Sequence, residues 1–310
     1  MKRLSPLLIA CCIVTTFSCK KEAVTTGTNG EVAEVASINS ITSDELTATG
    51  THFGVGFDNL STDQKITVLK KLGANYIRAR VIVSTFDGHA GSLEKFSKNG
   101  IHVILNLNWE ETGNNPKSFP QDMATYRKKL GNVLDKYKPE VAVIENEPTN
   151  QIYYKGPMSD YITELKNAID VCKQHGVKVA DGCVHVATVQ DIMNGGSLSD
   201  AASRAKQLLD AYKTLDLDYV TVHAPGSGNS YPSQDLVNVA NYIRTHTGKQ
   251  VISNEFKVYT NSTSLLRDMV QGMKQGNYII ALLRSASGAT RLNDGTDLNS
   301  LGRAYADAIK

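Results

Sequence analysis

The chain has 310 residues, of which 41% are apolar and 21% charged, and its 33 Lys and Arg against 31 Asp and Glu leave a net charge of +2. This balance is typical of a globular protein and excludes disordered, collagen-like and coiled-coil chains. The basic residues form no polybasic block, so there is no electrostatic reason to expect nucleic acid as a partner.

Residues 1–19 have the pattern of an export signal. A basic Met-Lys-Arg start is followed by an apolar stretch over 7–17 and by Ser18 and Cys19, in the order of a signal peptide. The stretch is shorter than the roughly 20 residues that a membrane-spanning helix needs. The segment resembles a bacterial lipoprotein signal, which implies that Cys19 is lipidated and holds the mature chain to a Gram-negative membrane in the cell envelope. A plain signal peptide cut elsewhere is the alternative.

The cysteines divide between this segment and the rest of the chain. Cys11, Cys12 and Cys19 lie in the signal, whereas Cys172 and Cys183 lie far downstream. The latter two are expected to be buried thiols, with a disulfide between them as the less favoured alternative in an oxidising compartment.

The composition changes near residue 51. Residues 20–50 are rich in Thr, Ser, Ala, Gly and Val, lack aromatic residues and show no sustained period, which predicts a flexible tether. Residues 51–310 alternate short apolar runs with amphipathic helices, which predicts one folded domain. The predicted strands are 52–57, 75–83, 101–107, 141–144, 177–181, 219–222, 250–253 and 278–283. The predicted helices begin with one opened by a capping box of Ser61 and Gln64 and continue over 93–98, 120–137, 159–175, 199–214, 233–247, 262–275 and 297–309.

This alternation predicts an α/β fold. Strands that alternate with helices are parallel and joined by crossovers, and eight such units in about 260 residues match a (β/α)8 TIM barrel better than an open sheet. A doubly wound sheet is the alternative, although no Gly-x-Gly-x-x-Gly turn follows the first strand.

In a (β/α)8 barrel the active site lies at the C-terminal ends of the strands, and those ends are unusually polar here. Buried charges there need partners or a substrate, because an unpaired buried charge is costly. The residues at these ends are Arg78, Arg80, Asn106, Asn108, Trp109, Glu145, Asn146, Glu147, Pro148, His223, Asn254, Glu255 and Phe256.

Two glutamates stand out among them. Glu147 ends the fourth predicted strand and Glu255 the seventh, and these strands lie on opposite sides of a barrel mouth. Glycosidic bond cleavage needs two such carboxyls, one to protonate the leaving oxygen and one to attack or to activate water. The alternative is that each glutamate forms a salt bridge with a neighbour such as Arg78 or Arg80.

The segments around these residues resemble the large clan of retaining glycoside hydrolases on (β/α)8 barrels. Residues 144–148, Ile-Glu-Asn-Glu-Pro, are similar to the clan's Asn-Glu-Pro motif on the fourth strand. Residues 252–256 are similar to its seventh-strand motif, and residues 73–78 to the segment that ends in an arginine supporting the nucleophile.

This resemblance implies a role for each matching residue. Glu147 would be the general acid/base, Glu255 the nucleophile, Asn146 the contact to the sugar 2-hydroxyl, and His223 the histidine of a His-x-Tyr motif. We therefore expect the two carboxylates about 5–5.5 Å apart and Arg78 hydrogen-bonded to Glu255, keeping it ionised. Glu147 is expected to have the higher pKa, because it must carry a proton.

The sequence departs from the clan at two places. Ala224 and Pro225 follow His223 where the clan has a tyrosine, so Tyr231 or Tyr259 would have to hydrogen-bond the nucleophile. The eighth strand offers Arg284 where the clan commonly has a tryptophan that stacks on the sugar.

Stacking on the sugar would then depend on other aromatic residues. The candidates are Trp109, the only tryptophan, with Tyr153 and Tyr154; the alternative is that Trp109 is core and the tyrosines cover their loop. Arg284 and Arg291 could recognise an acidic sugar, and equally could be arginines of the barrel rim.

Other polar groups are expected to be structural. Asp181, His185 and His223 could meet a metal, but no His-x-His follows the first strand, so the sequence predicts neither a metal site nor a cofactor. Glu110 and Glu111 are expected to lie in a solvated loop. Residues 285–288 could hold a phosphate at a helix N-terminus, but this is not favoured because Glu147 and Glu255 would repel a phosphate nearby.

The sequence thus favours a lipid-anchored glycosidase that cleaves an oligo- or polysaccharide with retention. A catalytically silent glycan-binding lipoprotein on the same barrel is the main alternative, because the eighth-strand tryptophan is missing. A sugar-phosphate lyase or isomerase is less favoured, since it would need a phosphate site or a catalytic lysine at a strand end.

Overall fold

The structure is a computed structural model that describes residues 50–310 except 90, 112, 114, 226–231 and 287–289. The predicted signal, its Cys19 and the tether up to residue 49 lie outside the described residues. Among the helices that are described, none is long and apolar enough to cross a bilayer.

A closed parallel barrel forms the centre of the fold. Its strands are β1 His52–Phe57, β2 Tyr76–Ile82, β3 His102–Asn108, β4 Val141–Ile144, β5 Lys178–Ala180, β7 Tyr219–Pro225, β8 Gln250–Lys257 and β9 Ile280–Ser285. Each strand pairs in parallel with its neighbour, β9 pairs with β1, and Ala180 pairs with Tyr219 to join β5 to β7. The closed sheet confirms the predicted (β/α)8 barrel and excludes the doubly wound alternative.

Helices follow the strands around the outside of this barrel. The described helices are α1 Thr62–Leu72, α2 Glu94–Ser97, α3 Met123–Tyr137, α4 Met158–Gln174, α5 Val186–Asn194, α6 Asp200–Tyr212, α7 Ser233–Thr247, α8 Thr263–Gln275 and α9 Ser300–Ala308. The capping box that opens α1 is present as predicted, and Gly73 ends the helix at a φ of 71°. A short hairpin of β10 Asn293–Asp294 and β11 Asp297–Leu298 precedes α9.

Two parts of the chain differ from the prediction. β7 and β8 continue past residues 222 and 253, because the ladder resumes beyond irregularities at those points. His223 and Glu255 therefore lie within strands, with their Cα atoms paired. The extra strand β6 Val184–His185 and the helix α5 follow β5; α5 escaped prediction because His185 at its N-cap makes no capping hydrogen bond.

The core has two layers. The barrel interior is filled by one cluster of buried side chains, and a larger cluster packs the strands against the helices. Cys172 and Cys183 are free and buried, which confirms the prediction of two thiols. The interior members are Tyr76, Ile104, Val141, Val143, Ala180, Tyr219, Ile252, Ile280 and Leu282.

Candidate active site

The chain turns sharply after β4, and this turn separates three consecutive polar side chains. Glu145 and Glu147 have φ angles of 67° and 54°, a left-handed conformation that residues other than glycine adopt only when their surroundings hold them there. As a result Glu145 reaches the backbone of Trp109, Asn146 reaches Arg78, and Glu147 lies between two histidines.

A glycine brings the segment after β5 against this turn. The Glu147 N–H donates to the Gly182 carbonyl at 2.8 Å. A Cβ at Gly182 would lie 2.5 Å from the Ile144 carbonyl oxygen and 2.9 Å from Pro148, so only glycine fits. This close approach places the following residues, Cys183 and His185, beside Glu147.

Glu255 is held by two arginines. An Arg78 amino group donates to Oε2 of Glu255, and Arg284 Nη1 donates to Oε1 at 2.9 Å. Burial alone would raise the pKa of Glu255, but Arg78, His223 and Arg284 outweigh it and bring the pKa to about 2. The predicted hydrogen bond from Arg78 to Glu255 is present, and the lowered pKa agrees with the expectation that this arginine keeps Glu255 ionised.

Arg78 also connects the two glutamate motifs. Its Nε donates to Asn106 Oδ1 at 2.8 Å, and its Nη2 donates to Asn146 Oδ1 at 2.7 Å. Within the described part of the chain, the Nδ2 group of Asn146 has no acceptor and can donate to a ligand. The salt-bridge alternative is met for Glu255 by Arg78. Glu147 has no arginine partner among the described residues and pairs with two histidines, while Arg80 pairs with exposed Glu111.

We expect Arg78→Met to move the acidic limb of the pH–rate profile upward by about one to three pH units, because the pKa of Glu255 rises when the adjacent charge is lost. The melting temperature should fall as well, since Glu255 keeps only Arg284 in a buried site. Arg80→Met is the matched control, because Arg80 forms an exposed pair. An unchanged acidic limb in Arg78→Met would contradict the assignment.

Three nitrogen atoms lie close to the Glu147 carboxyl group. His223 Nδ1 is 3.0 Å from its Oε1, and His185 Nε2 and Asn150 Nδ2 are 3.3 Å and 3.1 Å from its Oε2. Burial raises the pKa of Glu147, but the two histidines lower it further than burial raises it, to well below the ordinary value. The expectation that Glu147 has the higher pKa of the two glutamates is therefore wrong, because its neighbours are cationic when protonated.

A chain of amides fixes which nitrogen of His223 carries a hydrogen. The Asn106 atom that faces Arg78 must be its oxygen, because a guanidinium only donates. Asn254 Nδ2 donates to that same oxygen at 2.9 Å, so Asn254 Oδ1 faces His223 Nε2 at 2.7 Å. His223 Nε2 is consequently the donor.

The 3.0 Å contact between His223 Nδ1 and Glu147 Oε1 is a hydrogen bond only when one proton lies between the two atoms. If His223 is neutral, its Nδ1 accepts from the Glu147 carboxyl; if it is an imidazolium, Nδ1 donates to the carboxylate. Glu147 and His223 thus form a pair that holds one proton in either arrangement. This pair can supply a proton at the barrel mouth even though the pKa of Glu147 itself is low.

Glu145 forms part of the wall behind the site. It accepts hydrogen bonds from the Trp109 N–H at 2.6 Å, from Asn108 at 3.1 Å and from the Tyr154 hydroxyl. Burial raises the pKa of Glu145 to about 7 and that of neighbouring Glu164 well above its ordinary value. Glu164 makes no hydrogen bond of normal length with the residues described, so it carries the proton of this pair.

Glu164→Gln should stabilise the protein at pH 8 and leave it nearly unchanged at pH 4. The raised pKa of Glu164 means that folding opposes its ionisation, so stability is lost as the pH rises above about 4.5. Each kcal/mol relieved would raise the melting temperature by about 2–4 °C. Glu110→Gln, at an exposed position, is the control. An equal gain in stability at both pH values would contradict the assignment of the proton to Glu164.

The three aromatic candidates have different environments. Tyr154 is 1% exposed and stacks on Phe119 at 4.9 Å, so it is core and not a sugar platform. Tyr153 is half-buried, and its pKa is raised by burial and by the charges of Glu147 and Glu255, which places it at the mouth. Trp109 is half-buried and packs edge-on against Tyr126 at 5.8 Å.

Trp109 remains a predicted sugar contact that fluorescence can test. Because it is the only tryptophan, we expect its emission to change when a bound glycan stacks on its exposed part. Trp109→Ala should then weaken sugar binding by about 0.5–1.5 kcal/mol beyond the lost contact area. A core role predicts instead a lower melting temperature, with unchanged affinity per folded molecule and no response to a ligand that demonstrably binds.

The remaining predicted residues are exposed or lie outside the described part of the chain. Arg291 pairs with Asp294 at 2.6 Å on the exposed rim, and Tyr259 is 43% exposed with Lys257 over its ring. Glu110 and Glu111 are exposed, as predicted. Tyr231 and residues 287–289 lie outside the described part of the chain.

The structure brings together three side chains that could bind a metal, and this set differs from the one considered from the sequence. Asp181, one of the predicted candidates, instead accepts from the Thr221 and Cys183 backbones. Cys183 takes its place, and the ligand atoms of Cys183, His185 and His223 lie within 4.8 Å of one another. The Cys-x-His spacing of residues 183–185 is the sequence signal that could have found this cluster.

Comparison with known proteins shows a likeness of fold. No family model matches the chain, and no curated protein sequence matches it. A mutant GH128 (subgroup I) endo-β-1,3-glucanase from Amycolatopsis mediterranei, crystallised with laminaritriose and laminaribiose, superposes with a TM-score of 0.55 at 13% identity, over 84% of this chain and 100% of that one.

Two other barrels are similar to the same extent. An endoglucanase from Pseudomonas stutzeri has a TM-score of 0.58 at 10% identity, over 84% of this chain and 94% of that one. An endo-β-1,4-mannanase from Thermotoga petrophila has a TM-score of 0.57 at 13% identity, over 85% of this chain and 77% of its own. At these identities the likeness shows that the chain shares the (β/α)8 fold of these proteins.

Proposed function

We propose that the protein is a glycosidase that cleaves an O-glycosidic bond with retention, with Glu255 as nucleophile and Glu147 as acid/base. The observation that carries this proposal is the joint placement of the two glutamates at the barrel mouth. Arg78 binds both Glu255 and Asn146, and His223 lies on the strand beside Glu255 while contacting Glu147.

The chemistry needs each of these groups. Ionised Glu255 attacks the anomeric carbon, while the proton held by the Glu147–His223 pair moves to the leaving oxygen. In the second half of the reaction Glu147 takes a proton from water, and the water oxygen displaces Glu255 from the anomeric carbon. The Nδ2 group of Asn146, which has no acceptor among the described residues, would donate to a sugar hydroxyl. A carboxylate separation of about 5–5.5 Å remains our prediction.

The substrate that we propose is an oligo- or polysaccharide. The structural neighbours are described as acting on β-1,3-glucan, on β-1,4-mannan and on xylan, which supports a glycan of this kind. No nucleic acid is expected, given the balanced charge. We also propose that Cys19 carries a lipid that anchors the protein in the cell envelope, and mass spectrometry of the mature N-terminus tests this.

One observation favours a second candidate function. Arg284 holds Oε1 of Glu255 while Arg78 holds Oε2, so each carboxylate oxygen already accepts a hydrogen bond from a guanidinium, which lowers its nucleophilicity and narrows the approach to it. Arg284 also lies 3.6 Å from Asp58, which gives it a second partner to retain it. If Arg284 stays between Glu255 and the anomeric carbon, the protein would bind a glycan without cleaving it.

A panel of aryl β-glycosides separates the two functions. The enzyme should release phenol from at least one glucoside, xyloside or mannoside, at a rate that falls in Glu255→Gln. A silent binding protein should bind oligosaccharides with no turnover. Calorimetric binding without release from any substrate of the panel would favour the second function.

A further inference from the structure

We propose that Cys183, His185, His223 and Glu147 form a binding site for a thiophilic divalent cation such as Zn2+. This departs from the sequence-based expectation of no metal site. Thiolate, imidazole and carboxylate are the groups that bind Zn2+ in proteins, most often four at a time in a tetrahedron. The four side chains come from the turn after β4, the segment after β5, and β7.

The spacing of the donor atoms suits a tetrahedral site. With Zn–N and Zn–O distances of about 2.0–2.1 Å, neighbouring ligand atoms lie about 3.3–3.4 Å apart. Oε1 of Glu147 is 3.0 Å from His223 Nδ1, and its Oε2 is 3.3 Å from His185 Nε2. The ligand atoms of Cys183 and the two histidines lie within 4.8 Å of one another, so side-chain rotations bring these three donors and one Glu147 oxygen around a single cation.

The surroundings of His223 prepare it as a ligand. A metal-binding histidine almost always donates its second ring N–H to an oxygen, which fixes the ring and its tautomer. His223 Nε2 donates to Asn254 Oδ1 at 2.7 Å, as derived above from the amide chain. The Nδ1 atom is thereby left to bind a cation.

The charges also balance at this site. A Cys183 thiolate and the Glu147 carboxylate together neutralise a divalent cation, and the thiol proton passes to solvent on binding. Cys183 and His223 are buried, whereas His185 and Glu147 are partly exposed, so the cation would enter from their side. This combination of two neutral imidazoles and two anions favours Zn2+ over Mg2+ or Ca2+, which prefer oxygen ligands.

Binding would exclude catalysis, a consequence that rests on the proposed function. A Glu147 carboxylate bound to a cation cannot exchange a proton with a leaving group or with water. His223 would also lose the proton that it shares with Glu147. Occupancy of the site therefore gives reversible inhibition, while binding itself does not depend on any activity.

Cobalt binding to the full-length chain tests the site directly. After removal of metals with a chelator, one equivalent of Co2+ should bind per chain and give a near-ultraviolet thiolate-to-cobalt band. Zn2+ should displace this Co2+. Cys183→Ser should lose that band and bind Co2+ at least about 100-fold more weakly, since loss of an outer-shell partner alone costs 10–100-fold. Cys172→Ser, which removes the other buried thiol, should keep both.

The three N-terminal cysteines are present in both variants, so they cancel in the comparison. A band that persists in Cys183→Ser, or that is absent from the wild type, would overturn the proposal. If Cys183→Ser fails to fold, His185→Gln takes its place and should also bind Co2+ at least about 100-fold more weakly; unchanged affinity there would likewise overturn it. If the chain shows the cobalt band but cleaves no glycoside, the metal site is supported and only the proposed function is contradicted.

Discussion

Replacing Glu255 with glutamine is expected to reduce kcat by a factor on the order of 10^4 or more, as happens when a covalent nucleophile is removed. The substitution keeps the shape of the side chain but removes the negative charge that Arg78 and Arg284 stabilise. Sugar binding should persist, because the loss falls on the chemical step. Steady-state kinetics on an aryl glycoside, with calorimetric binding of the same sugar, measure both quantities.

The control for this substitution is Glu110→Gln. It removes an exposed carboxylate just after β3 and should leave the rate unchanged. Circular dichroism shows whether Glu255→Gln is folded, which matters because two arginines lose their partner. Undiminished hydrolysis by a folded Glu255→Gln chain would remove Glu255 from the mechanism.

Replacing Glu147 with alanine is expected to slow hydrolysis by about 10^2–10^4-fold, the usual contribution of general acid–base catalysis. The loss should be large for substrates with poor leaving groups and small for activated aryl glycosides, because a stable phenolate needs no proton to depart. Comparing kcat/KM across phenols of different acidity measures this dependence.

Azide provides the internal control for Glu147→Ala. Azide attacks a glycosyl intermediate without a general base, so it should restore the breakdown of that intermediate and yield a glycosyl azide. Equal losses for all leaving groups, with no effect of azide, would contradict the acid/base role and point to a structural role for Glu147.

The fold was predictable because its signals are local. Apolar runs separated by capped helices specify repeated strand–helix units, and eight units can bury their apolar faces by closing a barrel. The capping box at Ser61 and the Gly73 stop are examples that the structure confirms. The helix α5 was missed because it lacks such a signal at its start.

The sequence predicted which residues form the site better than it predicted their pKa values. The positions of Glu147 and Glu255 follow from strand order, since they lie at or near the C-terminal ends of β4 and β8. Arg78 lies nearer the start of β2 and reaches Glu255 through its long side chain. The pKa of Glu147 depends on His185 and His223, and His185 reaches it only because Gly182 permits a close approach of two backbones. Contacts of that kind come from tertiary packing and leave no periodic pattern in the sequence.

The second arginine on Glu255 was unexpected for a similar reason. Arg284 belongs to β9, far from Glu255 in sequence, and the parallel pairing of β8 with β9 brings the two side chains together. From the sequence, Arg284 is expected either to recognise an acidic sugar or to be an arginine of the barrel rim. Its pairing with both Glu255 and Asp58 shows that it also belongs to the charge network around Glu255.

Trapping the glycosyl–enzyme intermediate tests the central claim most directly. The wild-type chain would be incubated with 2-deoxy-2-fluoro glycosides of gluco, xylo and manno configuration that carry a good leaving group, because the fluorine slows breakdown of a covalent intermediate. Mass spectrometry of the intact chain and of its peptides should then find one sugar per molecule, attached to Glu255. A label on another carboxylate, or hydrolysis of the parent glycosides with inversion and no adduct, would contradict the account.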